Sequence, residues 1–78
     1  MTTVTERSYQ TKAFVFDVVV TTNETTNVKI EVYDNDIPGR MVAKFARFGK
    51  KVLSEGDIEY TINALMETNG FPHKIVWP

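Results

Sequence analysis

Five basic residues fall between Arg40 and Lys51: Arg40, Lys44, Arg47, Lys50 and Lys51, with no acidic residue among them. The other four basic residues share the rest of the chain with ten acidic ones, so the net charge of −1 divides into +5 in one segment and −6 elsewhere. Segregation of this kind steers anionic partners to one place on a surface. Lysine and arginine at this density suit phosphate groups or an acidic protein surface, and Phe45 and Phe48 beside them are able to stack on bases. A slightly acidic chain with no RNA-recognition or zinc-finger signature makes nucleic acid the second expectation, behind a protein partner.

Catalytic and metal chemistry find little support. Asp34-Asn35-Asp36 followed by Gly39 resembles the start of a calcium loop. Counted from Asp34, however, the position of the bidentate glutamate is Phe45, which cannot ligate a cation. The tripeptide reads instead as a turn with a helix cap. His73 is the sole histidine, between Pro72 and Lys74, with no sequence partner for acid–base or metal work. Ser8, Ser54, Asp17 and His73 could be drawn into a triad, but nothing resembles a nucleophile elbow or an oxyanion hole. No glycine-rich loop has phosphate-cradling spacing. The expectation is no enzyme, no cofactor and no metal.

With 78 residues and no cysteine, the chain forms one small domain, spanning 1–78, without disulfides or thiol-held zinc. A domain of this size buries only about 60 % of its unfolded surface, so a partner or a second copy is a natural supplement. No apolar run approaches the ~20 residues that span a bilayer, and Met1 to Gln10 lacks a signal-peptide core. The expectation is therefore cytoplasmic, with no membrane role. Asn23-Glu24-Thr25 matches a glycosylation acceptor only by chance in such a context.

The elements that would position these residues follow from periodicity. Phe14, Phe16, Val18 and Val20 alternate along a strand from about Tyr9 to Thr22, with Val15, Asp17 and Val19 on its other side. Val28, Ile30 and Val32 alternate in a second strand, which joins the first through a five-residue loop, Asn23 to Asn27. Like charges opposed across strands are unfavourable. Pairing Thr22 with Val28, which sets Asp17 opposite Tyr33, is therefore preferred over the slip that opposes Asp17 and Glu31. Ser54 to Asn69 reads as a helix with Ile58, Ile62, Leu65 and Met66 on one stripe. Ser54 caps its start, and Gly70, Phe71 and Pro72 form its stop. His73 to Trp77 reads as a short last strand, pinned by Trp77 and placed at an edge by Pro78.

The segment 40–48 fits two readings. A turn at Pro38-Gly39 makes it a strand. A helix places Ile37, Met41, Phe45, Phe48 and Val52 on one face and Arg40, Lys44, Arg47 and Lys51 on a stripe about 90° away. The two clean stripes favour the helix. The fold class is α+β: a small, mostly antiparallel sheet of an N-terminal hairpin and a C-terminal strand, with one or two helices on one face. That arrangement leaves Tyr9, Ala13, Val15 and Val19 uncovered. Val15, Val19 and Tyr33 then form a second surface beside the basic residues, for a protein partner or a homodimer. Short, cysteine-free chains without catalytic residues are commonly accessory or inhibitor proteins, such as those of phages. The expected mechanism is occlusion of a larger partner.

Overall fold

The computed structural model describes residues 1–77. Four antiparallel strands, β1 (Thr3–Gln10), β2 (Phe14–Thr22), β3 (Thr26–Asp34) and β4 (Met41–Phe48), form one sheet in the order β1-β2-β3-β4. One helix, α1 (Glu55–Thr68), follows. The chain is α+β, with every strand paired to its sequence neighbour. No helix of the described residues is long and apolar enough to cross a membrane.

The alternation in β2 and β3 fixes the core side. Phe16, Val18, Val20, Val28, Ile30 and Val32 are buried on one face, against Ile58, Ile62 and Met66 of α1. Ser54 caps the helix: its Oγ accepts from the Asp57 amide at 3.3 Å. At the other end Gly70 has φ +86°. The Phe71 amide donates to Met66 O and the Gly70 amide to Glu67 O, closing the helix as its Gly-Phe-Pro stop predicts. Phe71 folds back into an aromatic group, edge-on to Phe14 and Phe16 at 5.3 and 5.8 Å and stacked on Phe45 at 6.0 Å.

Four expectations are corrected. Residues 41–48 are a strand, not a helix: Ile37-Pro38-Gly39-Arg40 is a tight turn with Gly39 at φ +82°, and the Arg40 amide donates to Ile37 O. Asp34 Oδ1 accepts from the amides of Asp36 and Ile37, so the Asp-Asn-Asp run closes a turn without capping a helix. Thr3–Gln10 is an edge strand, which its polar residues concealed. Last, segment 71–77 is not a strand. It runs beside α1 with Ile75 and Trp77 buried, held by side chains rather than by a ladder. Pro78, expected to place it at an edge, lies outside the described residues.

The β2–β3 register also differs. Thr22 faces Thr26 across a three-residue turn, and Asp17 faces Glu31. Both registers keep the same face inward, so burial does not choose between them. Two lysines make the opposed carboxylates tolerable. Lys29 Nζ lies 3.7 Å from Glu31, and Lys44 faces Glu31 from β4. The register is instead anchored by Thr26, which is only 1 % exposed. Its amide donates to Lys51 O at 3.0 Å, its carbonyl accepts from the Gly49 amide at 3.0 Å, and its Oγ1 accepts from the Leu53 amide at 2.9 Å. The first residue of β3 thus ties down the whole connection between β4 and α1.

Gly49 is a necessary part of this junction. A Cβ there would stand 2.3 Å from Thr26 O, a backbone atom that cannot swing aside. Gly49→Ala is expected to lower stability by about 1–3 kcal/mol through strain and a displaced Thr26 network, measured by urea denaturation. An unchanged midpoint would show that the junction yields without penalty.

Candidate functional site

Strand geometry redistributes the basic cluster. In a strand, neighbouring side chains alternate between faces. Lys44 therefore lies on the face away from α1, opposite Glu31, while Arg47 lies on the helix side, opposite Val28. Arg40 sits in the turn ahead of β4. The expected four-residue stripe of Arg40, Lys44, Arg47 and Lys51 is not formed. What the structure does bring together is Arg47, Lys50 and Lys51. With Phe48, Gly49, Leu53 and Thr61 they line a depression of about 490 Å³ between the end of β4 and α1.

β4 is also a sheet edge. Its exposed charges, and a bulge in which Tyr33 pairs with Met41 while Val32 pairs with Ala43, oppose addition of a further strand. Part of the positive charge in this segment thus has a structural use.

The sheet face opposite α1 carries no covering element among the described residues. Val15, Asp17, Val19 and Thr21 of β2 lie there beside Asn27, Lys29, Glu31 and Tyr33 of β3, all half-buried by one another. Val15, Val19 and Tyr33 are thus on the uncovered face, as alternation predicts. Tyr9 is not. The turn at 11–13 reverses the chain, so Tyr9 pairs with Phe16 on the core side and its hydroxyl donates to Val76 O at 3.1 Å. Ala13 lies in that turn and accepts from the Asn35 amide.

No family model matches the chain, and neither a curated protein nor a solved structure resembles it significantly. Function must be read from the surfaces themselves.

Two residues of the uncovered face have unusual surroundings. Phe48, which the helical reading groups on one face with Phe45, is 81 % exposed. Its ring borders a second depression, of about 410 Å³, lined also by Val19, Thr21, Lys29, Lys44 and Ala46. Asp17 Oδ1 is shielded from solvent and accepts no hydrogen bond from the described residues. Tyr33, which the expected register sets opposite Asp17, pairs with Val15 instead.

The Tyr33 hydroxyl is held above its ordinary value of 10.0, first by desolvation and then by the negative charges of Glu31 and Asp17. A folded-state pKa above the unfolded one contributes stability that is complete below pH about 10 and is lost as pH rises through the higher folded value. The measurement is urea denaturation of the parent and of Tyr33→Phe across the alkaline range. The variant is expected to lose less stability than the parent as pH rises above about 10. Parallel losses in both proteins would remove Tyr33 from the account.

His73 is exposed, and its ring lies 5.1 Å from that of Phe16. No group of three His, Asp or Glu residues able to hold a metal occurs among the described residues.

Proposed function

We propose that this chain is a non-enzymatic protein-interaction module that receives a larger partner protein on the uncovered face of its sheet. The observation that carries the reading is the sheet face opposite α1, which no described element covers and in the middle of which Asp17 lies. Around it, Val15, Val19 and the exposed ring of Phe48 supply apolar contact, and Lys29 and Lys44 steer an acidic rim of the partner. In this reading the protein works in the cytoplasm as an accessory or inhibitor, by occluding the surface it covers.

The test is capture of partners from nuclease-treated host lysate by the wild-type protein and by Val19→Arg. Val19 is half-exposed, so the variant is expected to stay folded, while the long cation in the contact centre is expected to weaken binding at least about tenfold. A protein retained in stoichiometric amount by wild type and lost by Val19→Arg supports the reading. Equal retention by both, or retention that disappears with nuclease, overturns it. Light scattering of the pure protein reveals self-association through the same face, in which case the partner is a second copy.

A further inference from the structure

We propose that the depression between β4 and α1 is a binding site for single-stranded nucleic acid, with phosphates on Arg47, Lys50 and Lys51 and a base stacked on Phe48. This surface shares only Phe48 with the contact centred on Val15 and Val19, and the inference does not depend on that reading. Phe48 stands as the wall between the two depressions.

The charge argument comes first. Arg47, Lys50 and Lys51 converge on one concavity of about 490 Å³. Among the described residues the one close ion pair is Lys29 with Glu31, so none of these three cations is neutralised by an acidic neighbour. Like charges gathered without counter-ions repel one another, and a phosphate chain relieves that repulsion with release of its own counter-ions.

The backbone beneath them is already arranged. Thr26 receives the Gly49 and Leu53 amides and donates to Lys51 O, so the connection that carries Lys50 and Lys51 is fastened at three points to β3. The Gly49 amide also lies 3.2 Å from Asn27 Oδ1. The close approach at Gly49 leaves no room for a side chain that would push the connection outward. A ligand therefore meets cations on an ordered backbone, with less conformational freedom left to lose. Thr61 contributes a hydroxyl from the helix side and Leu53 an apolar wall.

Phe48 selects the class of anion. Its ring is 81 % exposed at the rim of the cationic depression, a position that gains nothing from the protein core. An aromatic face beside phosphate-binding cations is the arrangement on which unpaired bases stack. A duplex keeps its bases inside and leaves the ring unused. A phosphopeptide uses the cations but has no base for Phe48. The acidic remainder of the chain, at −6, confines contact to this end and so to a few nucleotides.

The test is fluorescence anisotropy with a labelled short oligothymidylate, a duplex of equal length and a phosphoserine peptide, titrated with the full chain over a range of salt. For three phosphate contacts on a single strand, the log–log salt dependence is expected to have a slope of about −2. Phe48→Ala is expected to weaken oligothymidylate binding by roughly 5- to 150-fold, with the slope unchanged. The double variant Lys50→Gln, Lys51→Gln is expected to bring the slope to about −0.7. Trp77 fluorescence verifies that each variant is folded. The proposal is overturned if the duplex or the phosphopeptide binds as tightly as the oligothymidylate, if Phe48→Ala binds as well as wild type, or if no binding occurs at low salt.

Discussion

Phe16→Ala is expected to leave the chain close to its unfolding midpoint in water at room temperature. Phe16 is wholly buried and pairs with Val32 on one side and Tyr9 on the other. Its ring lies 6.0 Å from Phe14, 5.8 Å from Phe71 and 5.1 Å from His73. It thus joins three elements at once: the sheet, the end of the helix and the segment that follows. Truncation of a buried phenylalanine costs about 3–5 kcal/mol. At 0.05–0.15 kcal/mol per residue, a chain of this length has only about 4–12 kcal/mol to lose. Urea denaturation followed by far-ultraviolet circular dichroism reads the result. Phe16→Leu, which keeps most of the volume, is expected to lose less than about 1.5 kcal/mol. If Phe16→Ala stayed within about 1 kcal/mol of wild type, the ordinary effect of a point mutation, the aromatic group would not be the centre of this core.

The elements that were legible in the sequence are those with one strong period and matching ends. β2 and β3 alternate cleanly because one face is fully buried. The helix shows its apolar stripe between a serine cap and a glycine stop. β4 is masked because Met41, Phe45 and Phe48 keep a helical spacing, whereas in a strand Phe45 and Phe48 fall on opposite faces. Past the bulge the alternation is regular, with Ala43, Phe45 and Arg47 toward the core side and Lys44, Ala46 and Phe48 away from it, but charged residues fall on both faces. The basic stripe was a product of that helical reading. The concentration of charge survived the correction, but its arrangement did not: Arg47, Lys50 and Lys51 meet, and Lys44 is sent to the opposite face. β1 escaped notice because an edge strand covered on only part of one side has little need of apolar residues. The register was argued from one charge pair, Asp17 and Glu31. It is decided by a buried threonine and by lysines on the neighbouring strand, which a pairwise rule does not see.

The last segment shows the same limit, and it yields the second large effect. Asn63 stands in for a missing strand: its Nδ2 donates to Ile75 O at 2.9 Å, and its Oδ1 accepts from the Ile75 amide at 2.8 Å. The same Nδ2 donates to Glu59 O, and Glu59 Oε2 accepts from the Trp77 amide at 2.9 Å. One turn of α1 thus satisfies the backbone of a segment that has no ladder of its own, and so seats Ile75 and Trp77 in the core. Nothing in the periodicity of residues 73–77 reveals this, since the partner groups are side chains on the helix. Asn63→Ala leaves both polar groups of a buried residue without partners, at about 1–3 kcal/mol for each. The expected result is a total loss of about 2–6 kcal/mol and release of the segment before the rest of the fold opens. Trp77 is the sole tryptophan, so its emission reports this step directly. A red-shifted, quencher-accessible Trp77 at denaturant concentrations where circular dichroism is still native would establish the side-chain clamp. Glu59→Gln keeps an acceptor for the Trp77 amide and is expected to retain a buried Trp77. Coincident fluorescence and dichroism transitions in Asn63→Ala would mean that the segment is held by burial of Ile75 and Trp77 alone.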